Sequence, residues 1–287
     1  MIASPPSLEV RSVGERVLPG RYSLHSGFAA AANYVSGDGL FCIVSLAAGP
    51  GPFSLVADGP FPELWPGTAV VEPGLLRLGT AGVPLPPGRR YDGRISCDPA
   101  DAPALRKCLI PLREALLRSA PERSAAFLIE PSRDAAFASP SGREYAAALR
   151  EGVVKLLGPD PASGARRIRG LGPGFTPAGD DLLCGYLGAG LIAEKVLGLD
   201  LRETREAVGR EAQGGNPLSN SSLRCAVDGC FADKFRDLIL ACLGRPGRPL
   251  ESCVEAILEL GATSGADLAV GFFLAARRFS GEAAHGC

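Results

Sequence analysis

The chain has 287 residues, of which 46% are hydrophobic and 21% charged, an ordinary globular composition that excludes a disordered chain. Its 30 basic and 31 acidic residues give a net charge of −1, so no broad positive field attracts nucleic acid or an anionic membrane. The length favours two domains. The charge balance predicts that neither nucleic acid nor a membrane is a partner.

The N-terminal third of the chain contains short apolar segments between glycine and proline residues. Such segments predict the strands of a small, partly antiparallel sheet or barrel. The stretch SGFAAAANYV at 26–35 instead predicts a helix with Ser26 as its N-cap. The expected strands are LEVRSV, LFCIVSLA, FSLVAD, TAVVE and LLRLG.

From residue 99 onward, apolar residues recur with the helical period of about 3.6. The run AAFLIE at 125–130 predicts one further strand. The predicted fold class is α+β, with a β-rich N-terminal domain at 1–98, a mainly α-helical domain at 99–280 and a tail at 281–287. The predicted helices cover 102–118, 142–157, 182–197, 202–213, 219–231, 234–243, 251–260 and 266–279.

Nine cysteines without a CxxC pair predict buried thiols in a reducing compartment. The first residues lack the basic head and apolar stretch of a signal peptide. The longest apolar run, at 182–193, is shorter than the roughly 20 residues that a bilayer-spanning helix needs. We therefore expect a cytoplasmic protein.

The stretch GLGPGFTPAGDD at 170–181 places four glycines ahead of two aspartates and an apolar helix. It is either a turn before a buried helix or a loop whose bare backbone binds a small anion through its amides. Beside a phosphate, Asp180 and Asp181 require a bridging Mg²⁺ or a ligand amino group that donates to one carboxylate. Both alternatives are open from the sequence.

A second copy of this pattern occurs near the C-terminus. TPAGDDLLCGYLGA at 176–189 and TSGADLAVGFFLAA at 263–276 share GxDLxxG followed by an aromatic residue. The spacing predicts two helices that cross at Gly185 and Gly271 and present their first turns side by side. The repeat is otherwise explained by the packing of two core helices.

The 170–181 loop resembles the GLGxGLTPSGDD signature of the oxamate carbamoyltransferase subunit family, long described as a bacterial domain of unknown function. Phe175 and Ala178 replace the Leu and Ser of that signature. The stretches GATSGADLAVG and SLHSGFAAAANYV resemble two further parts of the family. The resemblance implies a subunit of a transferase in purine and allantoin catabolism that phosphorolyses oxalurate to oxamate and carbamoyl phosphate, or a related carbamoyl or acyl transfer.

The same resemblance implies a small anionic substrate, such as phosphate, carbamoyl phosphate or a short carboxylate, and other enzyme subunits, including an acyl-CoA-synthetase-like one. The candidate catalytic residues are Asp180, Asp181 and His25, with Mg²⁺ at the two aspartates as the candidate cofactor. The alternative is a non-catalytic anion- or nucleotide-binding regulatory subunit, although the chain has no Walker A motif. The candidate binding residues are Arg169, Gly172, Gly174, Thr176, Gly179, Asn33, Asn216, Ser219, Thr263, Ser264, Gly265 and Asp267.

Overall fold

The computed structural model describes residues 8–37, 39–247 and 249–281. The chain divides into two compact units, Met1–Arg94 with Cys230–Asp233, and Ile95–Gly229 with Lys234–Cys287. Strands fill the N-terminal part and helices most of the rest, which confirms the α+β fold class. Residues 282–287 of the predicted tail lie outside the described residues.

A nine-stranded sheet is formed by the described residues of the first unit. The strands are β1 (Glu9–Gly14), β2 (Gly20–Phe28), β3 (Ala31–Ser36), β4 (Gly39–Ser45), β5 (Ser54–Asp58), β6 (Thr68–Glu72), β7 (Leu75–Leu78), β8 (Ala81–Pro84) and β9 (Arg90–Tyr91). Their order is β8-β7-β6-β2-β3-β4-β5-β1-β9. Neighbours are antiparallel except in the pairs β4–β5 and β1–β9, so the sheet is largely built from hairpins.

The core of the first unit lies against one face of this sheet, where Tyr34 stacks on Phe41 with ring centroids 5.1 Å apart. The short segment Cys230–Asp233, from a distant part of the sequence, completes the first unit. The Tyr91 hydroxyl donates to the carbonyl oxygen of Phe231 at 2.8 Å, and the Phe231 amide donates to Gly93 at 3.0 Å. The first unit is therefore built from two separate parts of the sequence.

The helix predicted at 26–35 is wrong, because these residues form the end of β2, a tight turn and β3. Ser26 is not a helix cap; its hydroxyl accepts a hydrogen bond of 2.9 Å from the Asn33 amide on the opposite strand. The alanine run favours a helix locally, but pairing of β3 with strands on both sides overrides that preference.

The second unit is helical, and most of its predicted helices are confirmed to within a few residues. The strand predicted at 125–130 is wrong, since Ala125–Leu128 is a 3₁₀ turn capped by Ser124. The described helices are α1 (Ala102–Ser119), α2 (Pro140–Leu156), α3 (Pro161–Ile168), α4 (Ala178–Leu197), α5 (Arg202–Glu211), α6 (Pro217–Asp228), α7 (Asp233–Cys242), α8 (Leu250–Leu258) and α9 (Ser264–Phe279). Of these, α3 was not predicted.

The two helices of the internal repeat, α4 and α9, pack directly on each other. A Cβ atom on Gly185 would clash with the carbonyl oxygen of Leu268, and one on Gly271 would clash with that of Leu182. The backbones thus touch at the two glycines, which confirms the predicted crossing. Since α4 is buried on nearly all sides, it is the central helix of this unit.

Among the described residues, no helix is both long and apolar enough to cross a membrane. The cysteines within the same ranges are all free thiols, and most of them are buried.

Substituting the crossing glycine tests this packing. We expect Gly185→Val to lower the free energy of unfolding by about 3 kcal/mol, because the added atoms meet main chain that has no room to move. Gly215→Ala is the control, since a Cβ at that position meets nothing within 4 Å. Urea unfolding followed by circular dichroism measures both variants, and equal stability of the two would contradict the close crossing.

Candidate functional site

The glycine-rich loop turns back onto the start of α4 with backbone angles that favour glycine. Gly170, Gly172 and Gly174 have φ values of +67°, +123° and +98°. A Cβ on Gly172 would lie 2.8 Å from the amide nitrogen of Ala178. The loop therefore needs glycine at these positions both for conformation and for close backbone contact.

Hydrogen bonds lock this loop to the helix that it precedes. The Gly179 amide donates to the carbonyl oxygen of Leu171 at 2.9 Å. Asp180 is buried, and its Oδ1 accepts from the Gly170 amide at 2.6 Å. Asp180 thus closes the base of the loop, as a capping side chain does.

The second copy of the repeat is built in the same way. Its Leu260 amide donates to Ile257 and its Gly265 amide to Leu260, both at 3.0 Å. A Cβ on either Gly179 or Gly265 would clash with a carbonyl oxygen of the preceding helix. The internal repeat therefore includes the ends of α3 and α8. Close packing on these helix ends explains why both positions are glycine.

The first turns of α4 and α9 lie side by side. The Thr176 Oγ1 atom lies 2.8 Å from Ser264 Oγ, which joins the first loop to the start of α9. Thr176, Asp181 and Ser264 are all partly exposed. They form an accessible edge of the junction that the sequence predicted.

Two carboxyl groups at this junction carry buried oxygens that lack a partner among the described residues. Asp181 is partly exposed as a residue, but its Oδ2 is shielded from solvent. Asp267 is fully buried; its Oδ1 accepts from the Ala125 amide at 2.6 Å, and its Oδ2 is the unpartnered atom. Buried acceptors without a protein donor are uncommon in native proteins.

The electrostatics of the junction disfavour full ionisation. Burial raises the pKa of Asp181 well above its ordinary value, the charge of Asp267 raises it further, and the hydroxyls of Ser264 and Thr176 oppose the rise. Burial also raises the pKa of Asp267 to about 6, against the Ala125 amide and the Thr263 side chain. The two carboxyls therefore hold protons more tightly than exposed aspartates do.

Tyr145 on α2 is a neighbour of this junction that the sequence did not indicate. Burial raises the pKa of its phenol, and the charges of Asp267 and Asp181 add to the rise. The sequence around Tyr145 has an ordinary helical pattern, so it does not indicate that this residue lies near the two aspartates.

Asn216 connects a further helix to the loop. Its side chain accepts from the Leu218 amide at 3.0 Å as the N-cap of α6, and its Nδ2 donates to the carbonyl oxygen of Phe175 at 2.5 Å. Ser219 is buried, and its Oγ has no partner within the described part of the chain. Exposed Arg169 donates to the carbonyl oxygens of Glu211 and Gln213 at 3.1 and 3.2 Å.

His25 and Asn33 belong to the sheet of the first unit. His25 is exposed on β2, with Nδ1 3.2 Å from Ser26 Oγ, and Asn33 lies on β3. Their proposed catalytic and binding roles stay predictions.

The backbone amides without a protein acceptor belong to the loop and not to the Asp180 and Asp181 positions of α4. The amides of Asp180 and Asp181 both donate to the carbonyl oxygen of Pro177. Within residues 8–37, 39–247 and 249–281, the amides of Gly172, Gly174 and Thr176 have no protein acceptor. The predicted anion site therefore depends on these loop amides.

Metal binding at Asp180 and Asp181 stays a prediction. The described residues include no group of three or more His, Cys, Asp or Glu side chains that is arranged to hold a metal ion.

Residues 168–276 match the family model described as oxamate carbamoyltransferase subunit AllH. The family resemblance is confirmed for this segment. We call residues 168–276 the AllH segment. It begins at the end of α3 and ends within α9, so it contains the loop and the first helical turn of both copies of the repeat. No solved structure matches the chain.

Removing the lock at the base of the loop tests its structural role. We expect Asp180→Ala to lower the free energy of unfolding by about 1–3 kcal/mol, because the Gly170 amide loses a charge-assisted hydrogen bond. Exposed Asp200→Ala is the matched control. Chemical denaturation measures both, and a wild-type stability for Asp180→Ala would contradict the assignment.

The raised pKa of Asp267 gives stability a pH dependence. The folded state binds more protons than the unfolded chain between the ordinary pKa of 3.8 and the folded pKa of about 6. This contribution is complete below the lower value and is lost as the pH rises through the higher one. The expected loss is about 3 kcal/mol, since one pKa unit is worth about 1.4 kcal/mol.

We therefore expect Asp267→Asn to flatten the fall in stability over this pH range, because Asn does not ionise. Urea midpoints collected across the range measure the effect. A variant that keeps the full wild-type slope would show that Asp267 is not the titrating group.

Proposed function

We propose that this chain is a subunit of an oxamate carbamoyltransferase-like enzyme and that its substrate binds where the 172–176 loop meets α4. The reaction is the phosphorolysis of oxalurate to oxamate and carbamoyl phosphate, or a related carbamoyl or acyl transfer. The description of the family that the AllH segment matches supports this proposal.

The observation that carries the proposal is that the loop with unpartnered donors adjoins a carboxyl with an unpartnered acceptor, since the Thr176 hydroxyl interacts with Asp181. The loop offers the amides of Gly172, Gly174 and Thr176. The adjoining junction offers carboxyl oxygens without donors at Asp181 and Asp267. Carbamoyl phosphate has the complementary pattern, with an anionic phosphate at one end and an amino group that donates hydrogen bonds at the other.

The phosphate end is assigned to the loop. Backbone amides in a glycine-rich turn bind phosphate oxygens without a dedicated basic side chain, and the Thr176 hydroxyl adds one more donor. The exposed tip formed by Pro173, Gly174 and Phe175 gives solvent access to this position. Magnesium held by Asp180 and Asp181 is the alternative to a ligand amino group at these carboxyls, and it would neutralise their charge beside the phosphate.

The chemistry needs one proton transfer. A phosphate oxygen attacks the ureido carbonyl carbon of oxalurate, the bond from this carbon to the oxamate nitrogen breaks, and that nitrogen takes up a proton. The proton that hydrogen phosphate gives up balances the reaction. Burial raises the pKa of Asp181 well above its ordinary value, which makes its carboxyl the candidate proton donor to the leaving nitrogen.

The proposal includes partner subunits, because the family is named as one subunit of an enzyme. The acyl-CoA-synthetase-like partner predicted from the sequence belongs to this part of the proposal. His25 and Asn33 are retained as candidate contributors from the first unit.

Ligand binding tests the proposal directly. Calorimetric titration of the purified chain with carbamoyl phosphate, oxalurate and phosphate, with and without Mg²⁺, is expected to show saturable binding of carbamoyl phosphate. Asp181→Asn should weaken that binding by about tenfold or more, because a carboxyl oxygen that can accept from the ligand is replaced by an amide nitrogen that cannot. Asp200→Asn, an exposed aspartate with the same change, should bind as the wild type does.

Phosphorus NMR of the chain with oxalurate and phosphate measures turnover. Formation of carbamoyl phosphate would identify a catalytic subunit. Binding without turnover until partner subunits are added would instead favour the regulatory alternative. No binding of any of the three compounds would contradict the proposed site.

A further inference from the structure

We infer that the substrate amino group is held jointly by Asp181 and Asp267, one carboxyl from each copy of the internal repeat. This inference rests on the proposed function and assigns two residues to one end of its ligand. The two positions are equivalent in the repeat, since each aspartate lies two residues after Gly179 or Gly265.

The neighbouring Asp180 is already engaged. Its Oδ1 accepts the Gly170 amide at 2.6 Å and locks the loop. The second copy has Ala266 at the equivalent position, so it has no counterpart of this lock. The carboxyl oxygens left without donors therefore come from the two copies of the repeat and not from adjacent residues of one copy.

The packing of α4 on α9 brings both carboxyls to one end of the helix pair. Leu182, which follows Asp181, contacts Gly271, and Leu268, which follows Asp267, contacts Gly185. The contact of 2.8 Å between Thr176 and Ser264 closes the same end. Both unpartnered Oδ2 atoms thus belong to the same end of the helix pair, where the charge of Asp267 acts on Asp181.

An amino group matches these two acceptor oxygens. It supplies two hydrogens to two acceptors that lack donors, and pairing them removes the cost of burying unsatisfied oxygens. A carboxyl keeps an acceptor oxygen whether or not it carries a proton. A methyl group of nearly the same size supplies no hydrogen bond, so the pair should discriminate between amino and methyl groups.

The Ala125 amide makes Asp267→Asn a sharp test. This amide holds Oδ1 of Asp267 at 2.6 Å. In the Asn variant, the side-chain oxygen is the atom that can accept this bond, so the new amide nitrogen takes the place of Oδ2. The variant therefore keeps the hydrogen bond from the Ala125 amide. At the other position it has a donor in place of an acceptor, and this donor cannot accept from the amino group of the ligand.

The experiment compares the dissociation constants of carbamoyl phosphate and acetyl phosphate. The first compound has an amino group where the second has a methyl group. We expect the wild type to prefer carbamoyl phosphate and the preference to fall by about tenfold to a hundredfold in both Asp267→Asn and Asp181→Asn. Acetyl phosphate affinity should change little. Exposed Asp200→Asn should keep the wild-type preference, and circular dichroism confirms that each variant is folded.

The possible results separate the inference from the proposed function. An unchanged preference in folded Asp267→Asn, together with a reduced one in Asp181→Asn, overturns the joint site and leaves the proposed function standing. A wild type that binds neither phosphate compound overturns both. A reduced preference in both variants supports the inference, because a purely structural role would weaken both ligands equally.

Discussion

The close contact between α4 and α9 is the constraint on which the site depends. Glycine at 185 and 271 lets two helix backbones touch, and a side chain at either position would separate them. That contact places the two first turns together, so that Thr176 meets Ser264. It also shields one carboxyl oxygen each of Asp181 and Asp267 from solvent, and burial raises the pKa values of both groups. Packing thus determines the chemistry available at the junction.

Much of the helical unit was predictable because its signals are local. The apolar period of α4 and α9 and the repeated GxDLxxG pattern can be read from a few turns of sequence. The prediction failed at 26–35, where the partners that make β3 a strand lie on β2 and β4. It missed α3 because that helix has only 8 residues, too few to show a clear period.

The sequence predicted Asp180 and Asp181 as candidate site residues, but it did not predict that their side chains have different partners. Asp180 and Asp181 are adjacent in sequence, yet successive side chains on a helix point about 100° apart. Asp180 therefore accepts from the Gly170 amide, whereas Asp181 is affected by the charge of Asp267 and the hydroxyls of Thr176 and Ser264. Tyr145 and the Ala125 amide come near Asp267 through tertiary packing of distant segments, so no motif near the loop indicated them.

The divided first unit bears on how the AllH segment should be understood. Cys230–Asp233 lies inside residues 168–276, yet it belongs to the first unit and is held by Tyr91 and Gly93. The donor to Asp267, the Ala125 amide, lies outside the same boundaries. A fragment excised at these family limits would carry one orphaned piece of the sheet unit and lack one donor to its own carboxyl. The AllH segment thus cuts across both compact units of the chain and coincides with neither.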